Sequence, residues 1–386
     1  MIHRGNTYLM KPTQEQSEAL AQHTGVCRMI WNLALEQRRN HWRHYQAATG
    51  NTLNYVSQSR ELTLLRSSVD FVREVSQNAE ERVIKDLDSA YTKAFRGEGG
   101  FPDFKRKGVH ESFTLSGRNV AIRKVNKRWG LIRLAKVGWV KIRMPRAVPG
   151  VITEAAVRLT ATGWHVSVAF KTEGVASVAT GAVGIDRGVA VPIMLSDGTS
   201  YSLPTNLAAT DKRVRKAQHD AARGKRGSNR NAKAKRRVAL LHAKVARIRK
   251  DWAHKATTDI TRQYGTVVIE RLRTKDMTKS ADANVAAKRG LNRAILNVGW
   301  HQIERMLFYK AHTLIKVDPR YTSQTCSSCG TVDKESRKSQ ARFVCTSCGH
   351  QDNADRNAAV NIRNRASSPV VEVRVAAPLK REPVAA

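Results

Sequence analysis

The chain has 386 residues, with 68 Lys plus Arg against 32 Asp plus Glu, a formal net charge of +36. That excess excludes an ordinary metabolic-enzyme surface, while 41% hydrophobic residues exclude a bare polycation and suffice for real cores in two or three domains. The natural partner of so much positive charge is a polyphosphate, and without a run of about 18 apolar residues nothing in the sequence spans a bilayer.

Residues 1–10 read as one strand. Thr13 with Gln16 three residues on has the form of a helix N-cap and its capping-box partner. Apolar positions Leu20, Cys27, Ile30, Trp31 and Leu35 follow, and Gly25 is expected to mark a turn between two helices. Val83, Leu87, Ala90, Tyr91 and Ala94 keep a 3.6 period. Residues 11–96 therefore read as a helical block, closed by Gly97–Gly100. From 111 to 171 short, partly alternating segments predict a small antiparallel barrel or sheet, with a turn at Thr160–Gly163. Ala182–Asp186 reads as a strand, and Asp197-Gly198 as a hairpin turn.

Residues 211–250 hold 16 Lys or Arg against two acids, Asp211 and Asp220. Val238, Leu241, Val245, Ile248 and Trp252 keep helical spacing there, one apolar stripe under a charged shell. Residues 224–229 read as a loop. The buried strand Thr266–Glu270 comes next, then a basic loop over about 273–290, a helix over 291–312 and a strand over 314–318. A last helix starts near Asp355, and residues 367–386 read as a disordered tail. Cys27 and the tryptophans Trp31, Trp129, Trp139, Trp164, Trp252 and Trp300 lie in apolar patterns and are expected in the core.

Two constellations carry chemistry. Cys326-x-x-Cys329, fifteen residues, then Cys345-x-x-Cys348 can set four thiolates around one Zn²⁺. A set of four Cys closes the site, which makes it structural rather than catalytic. His350, just beyond the second knuckle, reads as a surface residue. The remaining Cys count does not form a secreted disulfide framework, and the start of the chain has no signal peptide, so a reducing cytosolic compartment is expected.

The second constellation is Asp186 and Glu270, each ending a buried strand, and Asp355, starting a helix. Carboxylates at the ends of adjacent strands face one crevice. Three of them can hold two divalent cations about 4 Å apart for phosphodiester cleavage. Singly, each also has an ordinary reading: Asp186 as a strand end, Glu270 as the partner of Arg271 or Arg273, Asp355 as an N-cap. As a set, scarce acids at buried element ends point to cations. In the basic run, Arg223, Lys225, Arg226, Arg230, Lys235, Arg236 and Arg237 are candidates for nucleic-acid backbone contact, since unmixed cations repel one another without a polyanion.

These residues are recognisable together. Cys27–Leu35, Asp86–Ala90 and Phe101-Pro102-Asp103-Phe104-Lys105, Gly184-Ile185-Asp186, Val268-Ile269-Glu270, Val317–Cys326 and Asp355–Ile362 resemble TnpB. That is the transposon-encoded RNA-guided nuclease family related to type V CRISPR effectors. The likeness runs from about residue 7 to 365.

The resemblance implies a multidomain α/β fold. A wedge-type β-barrel would take residues 1–10 and 97–181, and a helical recognition domain 11–96. A RuvC nuclease domain of the RNase H type would take 182–322 and 351–366, with a four-Cys zinc ribbon inserted at 323–350. It implies an endonuclease that pairs a guide RNA from the transposon end with double-stranded target DNA beside a short adjacent motif, and cuts both strands at one site. Asp186, Glu270 and Asp355 would be ligands for two Mg²⁺, and Cys326, Cys329, Cys345 and Cys348 for one structural Zn²⁺. Gln77 and Asn78 are placed at the adjacent-motif reading surface by position. The expected assembly is a monomer with one RNA, in a prokaryotic cytoplasm at the nucleoid. The alternative is a catalytically idle RNA-guided repressor, which the retention of all three carboxylates disfavours. The chain departs from the family in two places. It is a few residues short between Tyr309-Lys310-Ala311 and Ile315-Lys316-Val317. Arg187 stands where Leu is frequent, an extra cation expected near the phosphate.

Overall fold

The computed structural model describes residues 2–173, 179–279, 285–367 and 372–375. It divides into two compact units, 1–174 and 175–386.

The first unit opens with strand β1 (Ile2–Lys11) and helix α1 (Gln14–His44). The expected capping box is present: the Gln16 amide donates to the Thr13 hydroxyl, and the Thr13 amide to the Gln16 side chain. Gly25 makes no turn. α1 runs through it, because Leu20, Thr24, Cys27, Ile30, Trp31 and Leu35 form one buried face on both sides of it, and the roughly 1 kcal/mol that glycine costs a helix is small beside that burial. Short helix α2 (Gln46–Thr49), α3 (Tyr55–Ser68), one-turn α4 (Asp70–Arg73) and α5 (Gln77–Phe95) complete the helical block.

Six more strands follow: β2 (Ser112–Ser116), β3 (Val120–Lys124), β4 (Trp129–Leu134), β5 (Gly138–Arg143), β6 (Val151–Thr160) and β7 (Gly163–Thr172). With β1 they form one seven-stranded sheet in the order β2-β6-β7-β1-β5-β4-β3, antiparallel throughout. The turn expected at Thr160–Gly163 joins β6 to β7. Helices and sheet share one core, in which Leu35, Ile84 and Leu87 pack with Ile132, Val140 and Val166. The tryptophan expectation holds for Trp31 and Trp164 but not for Trp139, which is 41% exposed. In β5, Val140 and Ile142 face inward, so period-2 alternation turns Trp139 and Lys141 outward. There Trp139 carries the Arg123 guanidinium 4.9 Å from its ring, and the partly exposed Trp129 carries the Lys141 ammonium at 4.6 Å.

The second unit is built on β8 (Ala182–Asp186), β9 (Ile193–Leu195) and β10 (Ser200–Tyr201). Helices α6 (Thr205–Arg223) and α7 (Asn229–Gln263), strand β11 (Thr266–Glu270), α8 (Thr274–Met277), α9 (Val285–Val298), α10 (Trp300–Lys310) and β12 (Thr313–Val317) follow. The sheet order is β10-β9-β8-β11-β12-β15, where β15 is Glu372–Val375, with β8, β11 and β12 mutually parallel. The hairpin at Asp197-Gly198 is where expected; Gly198 has φ +95° and the Thr199 amide donates to Asp197.

Three sequence expectations are corrected here. The helix expected over 291–312 is two helices, broken at Gly299, whose φ of +74° no helix accommodates. The loop expected over 273–290 contains α8, and α9 already begins at Val285. The tail expected to be disordered contributes β15 (Glu372–Val375), antiparallel to β12, where Val373 and Arg374 pair with Ile315 and Leu314. An edge strand offers unpaired backbone groups, and a short alternating segment suffices to take them. Residues 368–371 and 376–386 of that tail lie outside the described residues. The shortened connection near 311–314 consists of Ala311 and His312 alone, between α10 and β12.

Strands β13 (Arg342–Val344) and β14 (Gln351–Asn353) form a small hairpin sheet just before the last helix, α11 (Ala354–Asn364). No helix of the described residues is long and apolar enough to cross a membrane.

Candidate functional site

The buried run Val183-Gly184-Ile185 makes β8 an interior strand and delivers Asp186 at its carboxyl end. Val267-Val268-Ile269 does the same for Glu270 in β11, directly beside it. Asp355 comes from a third element, as the second residue of α11. Gly184 is what brings that helix in. A Cβ there would stand 2.1 Å from the Ala359 carbonyl oxygen and 2.6 Å from the Arg363 nitrogen, so only glycine lets α11 lie on β8. The helix is capped by the Asn353 side chain, which accepts from the Asp355 and Arg356 amides. Asp355 is therefore not the N-cap, and its carboxylate is free for other partners.

The three carboxylates share one neighbourhood. Glu270 is 9% exposed and Asp355 3%. Burial pushes the Asp186 carboxyl up to about 7, and the charges of Glu270 and Asp355 push the same way against Arg337 and Arg187. Burial also raises Glu270 and Asp355 above the usual carboxylate range, with Thr322 opposing at the first and Arg337 at the second. Among the described residues their oxygens do not converge as tightly as the cysteine sulfurs described below. A cluster of oxygen donors that burial, and at Asp186 the neighbouring charges, hold back from ionising is nevertheless a donor set suited to a hard divalent cation.

Neighbours not legible as functional in the sequence fix this site. Thr322 donates its hydroxyl to Glu270 Oε1 and is itself buried. Arg337 Nη2 donates to Asp355 Oδ1 at 3.0 Å, 18 residues away in sequence. It is one of 68 Lys or Arg, with no local mark to single it out. Asn361 donates to the Thr322 and Thr325 carbonyls, and Asn357 to the Thr325 carbonyl, tying α11 to the segment that enters the cysteine cluster. Both asparagines stand in the recognisable Asp355–Ile362 block, but nothing local gives them this task.

Arg187 corrects an expectation. Its side chain is fully buried, with Nη1 3.2 Å from Glu304 Oε2 and Nη2 donating to the Glu270 carbonyl. It is a structural cation under β11 rather than one offered to a phosphate, because Glu304 on α10 draws it inward.

The four cysteines do converge. All four sulfurs lie within 4.8 Å of one another, with Cys326 and Cys348 3.7 Å apart and Cys329 and Cys345 3.6 Å apart. Four Zn–S bonds of about 2.3 Å at tetrahedral angles require S···S separations of about 3.8 Å, so the set fits zinc. Phe343, fully buried with Cys326, Cys345 and Ala354, is the core of the ribbon. His350 stays out of the set, 3.4 Å from the Ser327 hydroxyl.

The basic hairpin of α6 and α7 packs Leu207, Val214, Ala217, Leu241 and Val245 inward. Arg223, Lys225, Arg226, Arg230, Lys235, Arg236 and Arg237 are all exposed, around the loop that joins the helices. Trp252, the last member of the predicted stripe, packs instead with the core of the central sheet. Gln77 is exposed and bonds Glu81, whereas Asn78 accepts the Ser116 amide at 2.8 Å and so braces β2.

Family models match in three segments. These are a Cas12f1-like TNB domain over residues 300–362, the "Probable transposase" model of IS605 OrfB over 165–281, and its helix-turn-helix domain over 1–47. The last of these is here β1, the unbroken helix α1 and the start of α2. A relative from Escherichia coli (strain K12), named "Putative RNA-guided DNA endonuclease InsQ", is 33% identical over 97% of this chain and 96% of its own length. A protein of the same description from Streptomyces pristinaespiralis is 30% identical over 94% of this chain and 89% of its own. Among solved structures, the Cas12f1 chain of a complex with sgRNA and target DNA superposes with a TM-score of 0.59 at 16% identity, covering 92% of this chain and 84% of that one. That likeness is one of fold.

Proposed function

The chain belongs to the TnpB family of IS605-type elements, and on that premise we propose that it is an RNA-guided DNA endonuclease. The observation that carries the reading is the gathering of Asp186, Glu270 and Asp355 from two strand ends and a helix start in a chain of net charge +36. The sheet and helices around them are read as a RuvC domain of the RNase H type, and the antiparallel sheet of the first unit as the wedge. A guide RNA pairs with one strand of the target beside a short adjacent motif, so base pairing rather than protein reads most of the sequence. One site then cuts both strands in turn. Gln77 and Asn78 remain the candidates for contact with the adjacent motif.

Asp186, Glu270 and Asp355 would hold Mg²⁺. Two such cations would supply a nucleophilic water and charge neutralisation at the scissile phosphate and leaving oxygen. The protein's own part is positional. Thr322 and the Arg187 contact beneath it hold Glu270 at the end of β11. Asn353 and Gly184 set the start of α11, and with it Asp355. Arg337, on Asp355, is a guanidinium that can also take a phosphate oxygen. The cysteines would hold one structural zinc, and through Asn357 and Asn361 that ribbon is fastened to α11. The exposed cations of the α6–α7 hairpin would take nucleic-acid backbone. We read the working unit as a monomer with one RNA, in the cytoplasm with the nucleoid.

The test uses protein purified with co-expressed RNA, Mg²⁺, and a plasmid library with the guide-matched target beside a randomised flank. Cutting beside one flanking motif, abolished by Asp186→Ala, is expected. Cutting that survives Asp186→Ala would remove the assigned site. Target binding without cutting under any flank would make the protein an idle binder.

A further inference from the structure

In the first unit, the ends of α1 and α5 and the segment that follows α5 bring large aromatic rings together at the surface. Trp42 is 63% exposed, Phe95 70% and Phe101 55%. Phe95 and Phe101 meet edge to face at 5.5 Å, and each lies about 6 Å from Tyr91 (6.0 and 6.2 Å). These rings, with Arg38 and His41, line a cleft of about 160 Å³, room for one planar ring system.

The cleft is built rigidly. Arg38 is held by Gln58 at 2.8 Å and Asp88 at 2.9 Å, with its guanidinium 5.2 Å from the Tyr91 ring centre. The strip that carries Phe101 is pinned to α1. Arg39 donates to the Pro102 carbonyl, Trp31 to the Asp103 carbonyl, and Asn32 both gives to and takes from the backbone of Lys105. Arg39 also lies over the exposed Phe104 ring, at 4.9 Å. Pre-set rings lose little entropy when something stacks on them.

The surroundings choose the partner. Residues 38–44 and 91–107 carry eight Lys or Arg and two acids, Glu98 and Asp103. Exposed aromatic rings amid predominantly positive charge suit a polyanion with bare planar faces, which is an unpaired stretch of nucleic acid; a duplex hides its base faces. A permanently bound RNA keeps such rings covered throughout the working life of the protein, whereas a target DNA that comes and goes leaves them bare. We propose that this cleft is a stacking platform for unpaired bases of the guide RNA. The proposal rests on the reading that the chain carries such an RNA, but it concerns a surface separate from the carboxylates.

The test is made on the full chain purified with its co-expressed RNA. Ultraviolet cross-linking, nuclease digestion and mass spectrometry are expected to find ribonucleotide adducts on the peptides containing Trp42, Phe95 or Phe101. Phe95→Leu with Phe101→Leu is expected to weaken RNA binding roughly tenfold or more without moving the thermal transition, and Phe95→Tyr with Phe101→Tyr to keep wild-type affinity. Unchanged affinity in the leucine variant, loss in the tyrosine variant, or adducts that form only with target DNA would overturn the platform. RNA held normally by a platform-independent protein would leave the nuclease reading standing, while a wild-type protein holding no RNA would sink both.

Discussion

Arg187 and Glu304 offer a sharp check on the buried electrostatics beneath the site. Arg187 is fully buried, and Glu304 is its carboxylate partner at 3.2 Å. Glu304 has a second cation, Lys316 at 3.0 Å, which also holds Glu372 of β15. Removing the two partners is therefore not equivalent. Glu304→Ala leaves a buried guanidinium without its ion-pair partner, which costs about 3–5 kcal/mol. Arg187→Leu removes the charge itself, leaves Glu304 with Lys316, and loses mainly the donor to the Glu270 carbonyl, about 1–3 kcal/mol. Arg187 Nε already lacks a partner, so the leucine variant relieves that cost as well. The double variant should then be less destabilised than the sum of the two singles, by a coupling of about 1–3 kcal/mol. Urea or thermal unfolding of the second unit reads it, with Glu304→Ala lowering the transition by roughly 10 °C. A double variant as unstable as the sum of the singles would refute the pairing.

Two further outcomes follow from the same geometry. Cys345→Ser is expected to drop bound zinc from one per chain to near none by elemental analysis, and to lower the thermal transition, because metal binding and folding of the ribbon are coupled. Unchanged metal content would count against the four-sulfur centre. Glu80 supplies a pH test away from any metal. Burial raises its carboxyl to about 7, against the Arg66 hydrogen bond and charge. Its protonated form is thus favoured in the fold, and the stability it lends is present below the unfolded value near 4.3 and lost as pH rises through about 7. Glu80→Gln keeps the neutral form at every pH, so its melting temperature should gain on wild type between pH 5 and 8; a constant difference would refute the shift.

Local signals carried far in this chain. The Thr13/Gln16 capping box, the Asp197-Gly198 hairpin and the CxxC pairs each specify their structure within a few residues, or within one short insertion. The failures were of reach. Gly25 looked like a punctuation mark because glycine is a poor helix former, and the buried face of α1 outweighed it. Trp139 looked like core because it is apolar, yet its neighbours in β5 took the inward positions. The alternation of β15 runs for only four residues, too short to mark a strand by itself, and its place was decided by the open edge of β12.

The amino-acid sequence alone pointed to a polyanion partner through its charge, to the zinc-type centre through its cysteine spacing, and to the three candidate carboxylates through their positions at element ends. Only the tertiary structure decided which groups meet them. Arg337 reaches Asp355, Thr322 reaches Glu270, and Arg187 turns inward to Glu304 rather than outward. The physical reason is that a cation or hydroxyl bears no local mark of its partner. Such pairings come from how far apart the folded elements lie, and from the close approach of α11 that the missing side chain of Gly184 allows.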